Sequence, residues 1–224
     1  MNTKAPRNKP ATVRLRRSPN EMATLKRELL ERARLIYRDE GLAALSMRRM
    51  ALEFKLSTMA LYSYFPSKQA LLEGLWLEIF EALLAELQSV QKGRRTPLKL
   101  LEAHVRSFLA FWELRPDQFC MIYMSLVQTS GADAVDMEHQ PVYADMVLLT
   151  RERVAACAAT PPGDAALGLS TDALVAQMLG YLLLTLGVAR YPLYDRDALR
   201  DRTVLDILCT VQQGLASPAP RPRR

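Results

Sequence analysis

The sequence predicts an all-α protein, with a three-helix helix-turn-helix domain followed by a larger helical bundle. Three observations predict it. Apolar residues recur at i, i+3, i+4 and i+7 along most of the chain. Capping residues and proline or glycine breaks cut that pattern into helix-length pieces. No segment alternates as a half-buried strand does, and no internal repeat is present. A chain of 224 residues suffices for a sizeable core and one or two domains.

Residues 1–17 form a basic arm, expected to be disordered. It carries Lys4, Arg7, Lys9, Arg14, Arg16 and Arg17 with no acid, and Pro6 and Pro10 oppose helix. Ser18-Pro19-Asn20-Glu21 starts the first helix as a capping box with proline at the first helical position. Met22, Leu25, Leu29, Ala33 and Ile36 give its apolar stripe to about Glu40, where Gly41 stops it. Ser46 caps a second helix with Met47, Met50, Ala51 and Phe54 on one face. Lys55-Leu56-Ser57 is a tight turn, with Leu56 the expected plug and Ser57 the cap of a third helix. There Leu61 and Phe65 point inward, and Pro66 ends it. The domain thus spans 18–75.

Ser67 caps a long helix from Lys68 to about Gln91, closed by Gly93. Leu71, Leu72, Leu75, Ile79, Leu83 and Leu87 run along it, so it joins the first domain to the second, 76–216. Further helices are expected from Thr96-Pro97 to about Leu114, from Pro116-Asp117 to about Thr129, and from Val142 to about Ala159. Ser130–Asp133 and Thr160–Ser170 read as loops, the latter from Pro161, Pro162, Gly163 and Gly168. Thr171 or Asp172 is the expected cap of a very apolar helix to Ala189, and a last helix covers Asp197 to Leu215. The Pro- and Arg-rich tail 217–224 is expected to be disordered.

The helix-turn-helix leaves Thr58, Met59, Ala60, Tyr62, Ser63 and Tyr64 on its outer side. Two phenols and a methionine are costly as plain surface but suit thymine methyls and phosphates in a major groove. The plain alternative is a helical hairpin with a solvated outer face. Charge follows the first reading: residues 1–75 carry +8 in a chain whose net charge is +6, and the bundle is acidic.

Here a resemblance enters. Ala33-x-x-x-Tyr37, Gly41, Leu45-Ser46-Met47-Arg48, Met50-Ala51, Leu61-Tyr62-x-Tyr64-Phe65, Ser67-Lys68 and Leu71-Leu72 resemble the DNA-binding domain of the TetR family of bacterial transcriptional regulators. The last three blocks are the most specific, and the likeness covers about a quarter of the chain. It implies DNA contacts from Arg48, Ser57, Thr58, Met59, Ala60, Tyr62, Ser63, Tyr64 and Lys68. The family usually has Gly where Lys55 stands in the turn, and Gly-Thr where Met59-Ala60 stands, which implies a different operator.

The resemblance also implies an effector pocket in the second domain and a two-fold dimer. The nominated lining is Phe108, Trp112, Tyr123, Met124, Tyr143 and Met178, although aromatics at helical spacing usually form core. The nominated dimer contacts are Leu182, Leu186 and Leu208, in helices apolar on most sides. The partners expected are a palindromic double-stranded operator, a small apolar or amphipathic effector and a second copy of the chain. No metal site, cofactor or enzymatic activity is expected. His104 and His139 lack ligand-type neighbours, and Cys120, Cys157 and Cys209 fit no zinc or disulfide spacing. No nucleophile motif or Gly-rich phosphate loop occurs. With no purely apolar run of about 18 residues and no signal peptide, no membrane partner is expected and the place is the cytoplasm. The repressor reading has rivals in an activator, a ligand-independent DNA binder, and an all-α small-molecule-binding or enzymatic protein with a vestigial helix-turn-helix.

Overall fold

The computed structural model describes residues 18–90, 96–124, 139–188 and 191–216. The arm 1–17, the tail 217–224, Gly93 and the Ser130–Asp133 loop lie outside them. The described residues form nine α-helices and no strand. Helix α1 spans Pro19–Glu40. Its capping box is reciprocal: the Ser18 hydroxyl accepts the Glu21 N–H at 3.3 Å, and the Glu21 carboxylate accepts the Ser18 N–H at 2.7 Å. Gly41, at φ +80°, ends the helix by donating its N–H to the Tyr37 carbonyl at 2.8 Å. A short 3₁₀ turn follows at Leu42–Ala44.

Helices α2 (Met47–Glu53) and α3 (Thr58–Tyr62) form the helix-turn-helix, capped by Ser46 and Ser57 as the sequence predicts. In the turn, Lys55 sits at φ +50°. Leu56 is not the buried plug expected of it. It is half-buried, and Phe54 is the residue here that packs on the core.

Helix α4 (Lys68–Ser89) is about 33 Å long at 1.5 Å per residue. Leu71, Leu75, Ile79, Leu83 and Leu87 are buried along its length, so one rigid element belongs to both cores. An ion pair from Arg34 of α1 to Glu78 at 2.6 Å adds to the α1–α4 junction. At that junction Gly74 lets the helices close up: a Cβ there would lie 3.0 Å from Leu30 Cδ2.

The bundle comprises α5 (Pro97–Glu113), α6 (Pro116–Phe119), α7 (Pro141–Ala155), α8 (Asp164–Leu182) and α9 (Arg196–Ala216). A π-helical turn follows α6 at Cys120–Met124, and another follows α8 at Leu183–Gly187. Here the sequence reading needs correction. Thr160–Ser170 is not one loop, and neither Thr171 nor Asp172 is a cap. Helix α8 already begins at Asp164, after Gly163. Its small residues are packing surface: a Cβ on Gly214 of α9 would meet Ser170 Oγ at 2.5 Å, so the two helices approach closely at this point. Helix α7 also ends at Ala155, a turn before the expected Ala159.

Candidate nucleic-acid interface and ligand cavity

Ser57 shapes the front of the helix-turn-helix. Its hydroxyl oxygen accepts the Ala60 N–H at 3.1 Å, which leaves its own proton free to donate outward. Ser63 is the reverse case, since its hydroxyl donates to the Ala60 carbonyl at 2.6 Å. Thr58, Met59 and Tyr62 are exposed, and Met59 is 82% exposed. Ala60 is half-buried beneath them. Tyr64 is also half-buried and packs on the core, turned away from that face.

The cations around this face divide into committed and available ones. Arg49 holds Glu40 in a two-pronged ion pair and also reaches Glu53. The Arg49 bonds hold the Glu40 carboxyl below the usual range, and Arg32, with Arg49 as the lesser partner, does the same for Glu53. Arg48, one residue earlier, is exposed and makes no such pair. Lys55 is exposed on the turn. Lys68 is half-buried at the first turn of α4, its Nζ donating to the Leu42 carbonyl at 3.2 Å, with two further protons to give.

The second domain holds a half-open apolar cavity of about 340 Å³ between α5, α7, α8 and the first π-turn. Phe108, Tyr123, Tyr143 and Met178 line it, and so do Val147, Thr150 and Asp172. Trp112 does not reach it. That ring is fully buried, packed edge-on among Phe80, Phe108, Phe111, Phe119 and Tyr123, and its indole N–H has no partner. Met124 stays outside as well, with its sulfur against Gly187. The three nominated dimer residues face their own chain's core: Leu182 and Leu208 are buried, and Leu186 is half-buried against it. The exposed leucines of this region are Leu169, Leu183 and Leu205.

Behind Thr150 lies a buried polar chain that sequence reasoning missed. Arg153 Nη1 donates to His104 Nδ1 at 2.6 Å. The imidazole therefore carries its proton on Nε2 and donates it to Thr150 Oγ1 at 3.2 Å. Thr150 passes its own proton to the Met146 carbonyl at 2.9 Å. The other guanidinium nitrogen of Arg153 caps the end of α4, donating to the Leu87 and Val90 carbonyls at 2.8 and 3.3 Å. Burial and the adjacent cation push the His104 pKa down to about 3, so the ring is neutral. The partners are 46 and 49 positions apart in sequence. The one local signal was a polar i, i+3 pair, Thr150 and Arg153, on one face of α7.

Among the described residues no group of three or more His, Cys, Asp and Glu is placed to hold a metal ion. Burial raises the thiol pKa of Cys120 and Cys157, which makes both poor nucleophiles.

Residues 29–75 match the family model described as bacterial regulatory proteins, tetR family. Among curated proteins, the nucleoid occlusion factor SlmA of Aliivibrio fischeri strain MJ11 is 30% identical over 100 residues, 45% of this chain and 50% of that protein. The Vibrio cholerae SlmA is 28% identical over 98 residues, 43% and 50% of the two chains. The chain thus spans about half the length of the curated relatives it matches. Among solved structures, the protein SCO4313 superposes with a TM-score of 0.71 at 16% identity, over 87% of this chain and 100% of that one. PfmR of Thermus thermophilus, a TetR family transcriptional regulator, gives 0.56 at 17% identity, over 84% and 99%. These structural likenesses establish the fold.

Proposed function

We propose, from the match of residues 29–75 to the family model of the tetR bacterial regulatory proteins, that this chain is a homodimeric transcriptional repressor released from its operator by a small ligand. The observation that carries the DNA-binding part is the outer face of α3. A five-residue helix with exposed Thr58, Met59 and Tyr62, flanked by unpaired Arg48 and the turn cation Lys55, offers methyl, phenol and guanidinium groups to base edges and phosphates. Arg48, Ser57, Thr58, Met59 and Tyr62 are the base and phosphate contacts proposed, with Lys68 as a backbone clamp. Ser63 and Tyr64 are weaker contacts, since one proton is committed and one ring is turned inward.

The cavity supports the ligand-responsive part. A ligand shifts a conformational equilibrium only if it binds the two states unequally. Here the cavity wall connects through Thr150, His104 and Arg153 to the last carbonyls of α4. Moving that end tilts the helix whose first turn carries Lys68. The spacing of two recognition helices on a palindromic site then fails.

Helix α8 with its following turn, Asp164–Gly187, is long and apolar enough to cross a membrane, with a third of it buried within the chain. A second copy of the chain is the better cover for the rest. Helix α9 packs along α8 and carries Arg196, Asp197, Arg200, Asp201, Arg202 and Asp206, charges that a bilayer would have to accept as well.

The test is selection of bound fragments from the source genome, then titration of a selected duplex at several salt concentrations. Specific binding with a steep salt dependence supports the proposal; salt-independent or absent duplex binding overturns it. The names of the curated relatives favour a second reading, a DNA-bound factor acting across the nucleoid. Sites dispersed along the chromosome, away from promoters, would favour it.

A further inference from the structure

The donor and acceptor groups that face the cavity are strongly unbalanced. Among the described lining residues Asp172 alone is charged; it is exposed at the cavity's edge, and its carboxylate has no ion-pair partner among the described residues. The Thr150 hydroxyl gives its proton to the Met146 carbonyl, and the Thr171 hydroxyl gives its own to the Leu167 carbonyl at 2.8 Å. Both threonine protons are thus committed to backbone carbonyls, and the Thr150 oxygen also accepts from His104, so neither hydroxyl has a proton to give to an occupant. Tyr123 and Tyr143 carry the remaining donors, and burial raises the Tyr123 pKa, so that phenol stays protonated. Among the described residues no lysine, arginine or histidine lines the space.

We infer that the cavity takes an apolar molecule bearing an amine or another cationic N–H group, and discriminates against carboxylates and phosphates. The cationic end faces Asp172, and the apolar body lies among Met146, Met178, Val175 and Leu179. The rings of Phe108, Tyr123 and Tyr143 offer π faces to a desolvated cation, which adds to the selectivity. An anion would meet the Asp172 carboxylate with no counter-charge among the described lining residues and only the two phenol O–H groups as donors, which do not offset the repulsion. Arg153 does not reverse this: it lies behind His104, outside the lining, with its donors on backbone carbonyls and the imidazole. This inference rests on the reading of the cavity as the effector site.

The experiment uses three probes with one body, 4-phenylbutylamine, 4-phenylbutanol and 4-phenylbutyrate, bound to the full chain and followed by calorimetry. The amine is expected to bind at least tenfold tighter than the alcohol, and the carboxylate weakest of the three. D172N should bring amine and alcohol to within about twofold of each other while leaving alcohol affinity unchanged. V175W, which fills the cavity, should abolish binding of all three. A carboxylate that binds as tightly as the amine, or an amine preference that survives D172N, overturns the ligand class and leaves the effector site standing. Binding of none of the probes, or binding undisturbed by V175W, overturns the inference and the effector reading together.

Discussion

Lys55 holds a left-handed backbone conformation that glycine would occupy without strain. It is also an exposed cation in the helix-turn-helix turn. Lys55→Gly is therefore expected to raise stability by up to about 1 kcal/mol while weakening duplex binding. Thermal unfolding and a salt series on one preparation check both halves, and a variant that loses stability would show that the turn gains from the lysine side chain. Arg48→Ala should cost about 1–3 kcal/mol at a single operator position, since a bidentate guanidinium reads one base pair. Equal loss on random DNA would reduce Arg48 to a phosphate contact. Lys68→Ala should weaken all duplexes alike and lower the salt slope by about one. His104 gives a pH prediction. Its pKa falls from 6.5 to about 3 on folding, so between those values the unfolded chain binds the proton and the native chain does not. Stability contributed by the neutral ring is complete above pH 6.5 and is lost as pH falls toward 3. Denaturant midpoints should begin to drop just below pH 6.5, and His104→Gln should flatten the slope between about pH 6.5 and 5.

At the scale of elements, the capping chemistry was legible in the sequence. Ser18 with Glu21, and then Ser46, Ser57, Ser67 and Thr96, each accept the N–H expected of a cap. Those signals are local, decided within a few residues by hydrogen bonding. The helix-turn-helix face was legible for the same reason, with Tyr64 an exception because its ring turns to a core made by distant residues. Gly168, read as a breaker, misplaced the start of α8; it lies inside the helix, in a stretch of small residues where Ser170 meets α9 at Gly214, 44 positions later. Trp112 was nominated for the cavity as one of the bundle's aromatics, yet five neighbouring rings from three segments hold it in the core. Trp112→Ala is accordingly expected to cost about 3–5 kcal/mol in stability. Helix α4 is closed at its far end by a residue 66 positions away in sequence. Arg153 is a buried guanidinium whose charge rests on its final carbonyls. Arg153→Met should leave those carbonyls and His104 Nδ1 unsatisfied, at about 1–3 kcal/mol. Hydrogen exchange at residues 84–90 should then accelerate while residues 71–80 keep their protection. Uniform acceleration along α4 would mean that Arg153 supports the whole fold and not the helix end.

For the whole molecule, the question is what covers the outer side of α8 and α9. Within one chain Leu182 is fully buried, so an acid there would be placed in the core and would unfold the bundle. Leu183 and Leu205 are different: they are 37% and 55% exposed, the first in the turn that follows α8 and the second on α9, which packs along α8. A single exposed leucine needs no explanation, but Leu169, Leu183 and Leu205 share a region whose main helix is apolar on most sides. A two-fold contact across this region would bury them in both copies and set the distance between the two α3 helices. Leu205→Glu should therefore give a folded monomer by sedimentation, with an unchanged helical circular dichroism signal, where Leu182→Glu gives a loss of that signal. The same Leu205→Glu monomer should bind a palindromic duplex at least tenfold more weakly than the wild type, and bind an isolated half-site as the wild type does. If Leu205→Glu remains a dimer, the contact lies on another face and the two recognition helices are spaced by it; a wild-type chain that sediments as a monomer at micromolar concentration overturns the dimer itself.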